Sequence, residues 1–189
     1  MPVYIGLLRA VNLGGNTQVS MEALRSLLSR MGLADVRTVL QSGNAVFTSD
    51  ETNEGKLEKR LEDRTEKELG LRTDFFVRTA DEWDSIVRGN PYRQEERTSP
   101  NHLVVTVLKE VPPNEGWTRL DSAIRGPERV KGRGRHAYIV YPDGIGRSRL
   151  TAAVIEKNLG TRGTSRNWNT VLKLAAIAAS AGAANRAAH

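Results

Sequence analysis

The stretch Val3-Tyr4-Ile5-Gly6-Leu7-Leu8-Arg9-Ala10-Val11-Asn12-Leu13-Gly14-Gly15-Asn16 sets the frame for the rest of the chain. Its first six residues form a short, mostly apolar run, the pattern of a buried strand. The connection that follows holds one cation, two amide side chains and a Gly pair. Such loops at the end of a rigid scaffold are where binding groups tend to sit.

Working outward, Ser20 is a good N-cap, with Glu22 in the first turn where the helix dipole favours an acid. Met21, Leu24, Leu27, Leu28 and Met31 recur at helical spacing, and Gly32 closes the helix. Asp35 to Leu40 and Ala45 to Thr48 are β-branched and apolar around Gln41-Ser42-Gly43-Asn44, which predicts a hairpin. Glu51 to Leu69 reads as a charged helix with a stripe at Leu57, Leu61 and Leu69, and Thr73 to Val77 as a strand. The order βαββαβ is one of the recurrent split βαβ motifs.

The second half gives the same order with weaker signals. Asp81 to Arg88 predicts a short linking helix, and Arg93 to Asn101 is too polar for core. Leu103 to Leu108 is the clearest strand in the chain, continuous and β-branched. Asn114 to Ile124 predicts a helix. Glu128 to Lys131 and Ala137 to Tyr141 flank a Gly132-Arg133-Gly134-Arg135 turn. Arg147 to Leu159 predicts a helix capped by Ser148, and a last helix starts near Asn167 and frays before His189. The expectation is an α+β fold of two subdomains, 1–79 and 101–180, joined by a linker with a short helix over 80–100 and followed by a flexible tail, 181–189. Identity between the halves is too low to make this an internal repeat from sequence.

Composition narrows the function classes. The chain has 189 residues, 39% hydrophobic and 26% charged, ordinary for a globular protein. With no cysteine, disulfides, thiolate chemistry and Cys-ligated metal sites are excluded. No basic segment precedes a long apolar run at the N-terminus, and no run approaches the roughly 20 apolar residues that span a bilayer. A cytoplasmic protein without membrane contact is the expectation. The net charge of +6 lies wholly in the second half. Between Arg125 and Arg166 ten basic residues face three acids, Glu128, Asp143 and Glu156. A field of that sign attracts phosphates and nucleic acid. A solvated basic face is the competing reading.

Topology brings two loops together. In a βαββαβ layer with a right-handed first crossover, the first two strands run parallel. The connection Asn12 to Asn16 and the turn Gln41 to Asn44 then emerge at the same end of the sheet. Glycine permits the backbone approach that lets N–H groups face an anion, and Arg9 adds a fork for phosphate or carboxylate. Against this, Gly-Gly and Gly-Asn are ordinary turn formers, and Arg9 would equally pair with an acid. Asp143-Gly144-Ile145-Gly146-Arg147-Ser148 enters a helix but lacks the Lys-Ser/Thr of a P-loop and the third glycine of a dinucleotide fingerprint. In Arg162 to Thr170, Arg166, Asn167 and Thr170 crowd the first turn of the last helix. Capping by Ser165 or Asn167, with Trp168 as core, is the alternative.

These residues carry a family resemblance. Leu8-Arg9-Ala10-Val11-Asn12-Leu13-Gly14-Gly15, Gln41-Ser42-Gly43-Asn44-Ala45-Val46-Phe47, Pro142 to Ser148 and Arg166-Asn167-Trp168-Asn169-Thr170 resemble the domain-of-unknown-function 1697 family, mostly bacterial proteins. Ala10 and Leu13 depart from the residues common in that motif, and the Ala-rich stretch after Ser180 looks peculiar to this chain. The resemblance implies two ferredoxin-like subdomains, in agreement with the element order, and implies no activity.

Enzyme templates fail on inspection. His102, His136 and His189 are scattered, so no triad or His-based metal site has the right spacing. Ser42 is the best hydroxyl nucleophile but lacks a Gly-x-Ser-x-Gly context and a base. No metal or cofactor is therefore expected. The preferred reading is a module binding an anionic small molecule (a nucleotide or a phosphorylated metabolite) or nucleic acid. Arg9, Asn12, Gly14, Gly15, Ser42, Gly43 and Asn44 would form its floor, with Arg166 and Asn167 closing it. An enzyme using the same groove, with Ser42 or a water reacting, is a second reading. A partner-binding protein whose polar motifs are structural is a third. Aromatic content of 5% argues against sequence-specific reading of single-stranded RNA. Oligomeric state has no signal in the sequence.

Overall fold

The computed structural model describes residues 1–9, 19–40 and 42–187. The chain divides into two units, Met1–Ser85 with Lys173–His189, and Ile86–Leu172.

In the first unit β1 (Val3–Leu8) is buried along its whole length, because it sits inside the sheet with a partner on each side. β3 (Asn44–Thr48) and β4 (Phe75–Thr79) flank it, both antiparallel, and β2 (Ala34–Val39) adds outside β3. The sheet order is β2-β3-β1-β4. Since β1 and β2 are each antiparallel to β3, they run in the same direction, and their C-terminal ends share one end of the sheet. Helices α1 (Met21–Arg30) and α2 (Glu54–Leu69) lay Leu24, Leu27, Leu28, Leu57 and Leu61 on one face, against Tyr4, Leu8, Phe47, Phe75 and Val77. Ser20 caps α1 by accepting from Ala23 N (3.1 Å), and Gly70, in the left-handed region, ends α2.

The outer edge of β4 is covered by carboxylates. On α2, Glu62 accepts from Phe75 N (3.0 Å) and the buried Glu58 from Val77 N (2.8 Å). Spacing of four puts both on one helical face, while the alternating outward N–H groups of the strand meet them. Glu82 takes the third, Thr79 N (3.0 Å), and Thr79 Oγ1 accepts from Glu82 N (3.1 Å), a reciprocal cap that starts α3 (Ala80–Arg88). An exposed row of strand donors invites foreign strands, and this one is fully used. At the other edge, β2 is interrupted by a register shift between Ala34 and Arg37, with Asp35 at φ 52°.

The second unit repeats the plan. A short polar helix α4 (Arg93–Thr98), absent from the sequence expectation, precedes β5 (Leu103–Leu108). Then come α5 (Asn114–Ala123), β6 (Arg129–Arg133), β7 (His136–Val140), a 3-10 turn (Ile145–Arg147), α6 (Ala152–Leu159), β8 (Gly163–Asn167) and the start of α7 (Trp168–Ala187). The order β6-β7-β5-β8 matches the first sheet strand for strand. Trp117 of α5 lies flat on Gly132 of β6, where a Cβ would stand 2.4 Å from the ring.

Three local expectations change. The helix placed at Arg147 begins at Ala152 under a Thr151 cap; Ser148 instead bonds to Glu128 and accepts from Leu150 N. Gly163–Asn167, read as the approach to a helix, is a strand paired with β5, so Arg166 sits in the sheet, not in a helical turn. Asn44 belongs to β3, so among the described residues the turn is left to Leu40, Ser42 and Gly43. The whole is a mixed α/β protein with two four-stranded antiparallel sheets, each packed with helices.

Candidate functional site

The end of the first sheet where β1 stops gathers three segments. Leu8 N donates to Gly43 O (2.8 Å), Arg9 N to Asp74 O (3.0 Å), and Thr73 Oγ1 to Arg9 O (2.8 Å). The β1 terminus, the β2–β3 turn and the entry to β4 thus form one hydrogen-bonded corner. Arg9 has both backbone polar groups engaged there, and its guanidinium emerges from a fixed base with 34% of the side chain exposed. Its Nη1 lies 3.4 Å from Asp74 Oδ2, longer than the 2.7–2.9 Å typical of a strong charge-assisted bond. The acid partner offered as the competing reading of Arg9 is therefore present.

The turn is held from within. Asn44 is completely buried, and its Nδ2 donates to Val39 O and to Ser42 Oγ, both at 2.9 Å, bracing both sides of the loop. Leu40 (φ 61°) and Gly43 (φ 71°) are both left-handed. For glycine that is routine, but for an exposed leucine it carries strain of order 1–2 kcal/mol. Ser42 Oγ accepts a hydrogen bond from the Asn44 amide, which ties the hydroxyl to the brace of the turn.

The structure brings Arg9, Ser42, Gly43 and Asn44 together at this corner. Asn12, Gly14 and Gly15 lie outside the described residues. Arg166 and Asn167 belong to the second unit. Arg166 is buried and donates to Thr164 Oγ1 (2.9 Å) and Ser165 O (2.8 Å); burial pushes its guanidinium down to about 10. Asn167 caps α7, its Oδ1 accepting from Thr170 N (2.9 Å), and Trp168 is fully buried. The within-chain counterpart of Arg166 is Arg78. Each is the fourth residue of its edge strand, opposite Val105 and Ile5 respectively, each is buried, and each donates to the carbonyl just before it.

Sequence reasoning missed Asp74 and Thr73, and it missed the equivalent corner of the second sheet. There Leu108 N donates to Arg135 O (2.9 Å), Lys109 N to Arg162 O (2.9 Å) and Glu110 N to Thr161 Oγ1 (3.0 Å). The pattern is that of the first corner, with Lys109, Arg135 and Arg162 in place of Arg9, Gly43 and Asp74. The available signal was the repeated strand order. Among the described residues no helix is long and apolar enough to cross a membrane.

Fold and corner together define a class: a protein of two antiparallel layers, each ending in a polar loop corner. The chain belongs to the family described as protein of unknown function (DUF1697), whose profile matches residues 1–138. A solved structure of a conserved bacterial protein from Streptococcus pneumoniae is similar to it with a TM-score of 0.73 at 18% identity, covering 94% of this chain and 98% of that one. At that identity the likeness speaks for the fold alone. No curated protein sequence matches the chain.

Proposed function

We propose that the loop corner of the first sheet binds an anionic small molecule, a nucleotide or phosphorylated metabolite, through Arg9 and the turn residues Ser42 and Gly43. The observation that carries the reading is Arg9 itself: its backbone is fixed at both polar groups, and its guanidinium, a third exposed, stands 3.4 Å from Asp74, where a phosphate would compete with that carboxylate. The braced turn beside it, with Leu40 kept in a strained conformation, supports a preorganised wall. Asp74 would act as the resident counter-ion that a ligand displaces. Thermal-shift titration with inorganic phosphate and ATP tests this. Arg9→Ala should abolish the stabilisation, and Asp74→Asn should strengthen it by removing the competing carboxylate. Equal shifts in wild type, Arg9→Ala and Asp74→Asn would end the proposal.

We infer also that each unit is a ferredoxin-like layer. The element order βαββαβ, the two matching sheet orders and the one-sided helices support it. An experimental structure showing both helices of a unit on the same sheet face tests it; a helix on each face would overturn it.

A further inference from the structure

We propose that the corner and edge of the second sheet form a separate binding site for the phosphodiester backbone of double-helical nucleic acid. Two hydrogen bonds carry the placement. Leu108 N to Arg135 O and Lys109 N to Arg162 O fix the backbones of three basic positions on three different segments side by side. Adjacent strands lie about 4.8 Å apart, so these cations share one end of the sheet whatever rotamers they adopt. The row continues along the edge strand. Lys131 and Arg133 alternate on one face of β6, about 6.5 Å apart, and both are exposed, as is Arg162. At the far end of the strand Arg129 is paired with Glu95 and stacked 5.2 Å over Tyr92, which leaves that end a structural role.

The opposing acids are few. Glu110 follows Lys109, and Glu156 accepts from Gly163 N (2.9 Å) at the start of β8. The matching corner of the first sheet carries Arg9, Gly43 and Asp74, a balanced set. The same backbone plan therefore holds a neutral pair in one unit and a concentration of cations in the other.

The distribution points to an extended polyanion over a single phosphate. The backbone positions of these cations run along a sheet end and on down an edge strand, a line longer than a single phosphate spans. Residues 109–110, 131–135 and 161–162 contain no aromatic side chain, and the Trp117 ring beside that edge is packed on Gly132, so no free ring is offered there to an unpaired base. Phosphates of a duplex are presented regularly without stacking, and contacts to them position a protein without reading sequence. This site does not rest on the small-anion reading of Arg9.

The test is fluorescence anisotropy of a mixed-sequence DNA duplex with the full chain, from about 50 to 200 mM salt. Wild type should bind, with affinity falling linearly on logarithmic axes and unchanged when the sequence is scrambled. The Arg133→Ala/Arg135→Ala/Arg162→Ala variant should lose about 2.7 from that slope, roughly 0.9 for each phosphate contact removed. Lys56→Ala/Lys59→Ala in the first unit should keep the wild-type slope. Circular dichroism of each variant checks folding, and Lys131→Ala, a single exposed change, serves if the triple variant unfolds; it should lose about 0.9. Failure of wild type to bind at the lowest salt, or an unchanged slope in both variants, would overturn the site. Tighter binding of the same sequence as a single strand would overturn the duplex assignment. Equal displacement by polyglutamate at matched charge would also overturn it, in favour of an acidic protein partner.

Discussion

The two sheets share strand order, strand register at the buried arginines and the hydrogen-bond plan of their loop corners, yet they differ in what surrounds that plan. Around the first sheet, charge is consumed by structure. Glu58, Glu62 and Glu82 seal the β4 edge, Asp74 faces Arg9, and Asn44 braces the turn. Around the second, Glu156 takes the first donor of β8, while Lys131 and Arg133 of β6 stand exposed. The backbone plan fixes where side chains emerge, and the side-chain chemistry at those points is then free to diverge. Divergence is what separates a balanced corner from a cationic one.

Four measurements break or sharpen that contrast. The largest effect is expected at Glu58, where truncation leaves Val77 N without its partner and removes the carboxylate 3.9 Å from the buried Arg78. Glu58→Ala should lower the stability measured by urea unfolding by about 3–5 kcal/mol. Glu156→Ala, which removes the acceptor of Gly163 N, should cost about 1–3 kcal/mol. Equal costs would erase the difference between the two edges.

Next is the packing of Trp117 on Gly132. Gly132→Val should cost about 1–3 kcal/mol by overpacking, and a Trp117→Ala change in the same chain should recover part of it. Thr38 is the register counterpart in the first sheet, and Thr38→Val should stay within about 0.5 kcal/mol. A comparable loss at both positions would show that the glycine serves something other than the ring.

Alkaline titration comes third. Burial raises Tyr138 and Tyr141, both in the second unit, from 10.0 to about 12. A folded value above the unfolded one means that stability is intact below pH 10 and is lost as pH climbs from 10 towards 12. Thermal melting should fall steeply across that window, and Tyr141→Phe should make the fall shallower. A melting temperature flat from pH 9 to 12 would contradict the buried phenols.

The smallest effect concerns the turns. Leu40→Asn should stabilise by about 0.5 kcal/mol, since Asn tolerates the left-handed region. Gly134→Leu should cost about 1–2 kcal/mol at φ 56°. If Leu40→Asn weakened the chain instead, the leucine would be contributing contacts that offset its strain.

Much of this architecture was legible because hydrophobic period and turn chemistry agreed. Val3 to Leu8, Leu103 to Leu108 and the capped helix after Ser20 each announce themselves. β8 did not, for a physical reason. Gly163-Thr164-Ser165-Arg166-Asn167 carries no apolar side chain, and its buried place opposite Val105 is filled by an arginine that donates to Thr164 Oγ1 and Ser165 O. The meeting of β1 with the β2–β3 turn followed from topology, so Arg9, Ser42 and Gly43 were found as neighbours. Asn44 was found for a different reason from the one it serves, since its amide faces its own turn. Asp74 and the corner at Lys109, Arg135 and Arg162 escaped notice because backbone hydrogen bonds between distant segments leave no mark in local composition.

The row of glutamates along β4 has one more consequence. A strand arriving from a second molecule would find all three outward donors of that edge already occupied, and it would have to displace two side chains rooted in a sixteen-residue helix. Growth of the first sheet by addition of like chains is therefore blocked at the level of individual hydrogen atoms. The opposite edge, with its register shift at Asp35, offers an arriving strand a mismatched template. The first sheet thereby stays four strands wide in crowded solution.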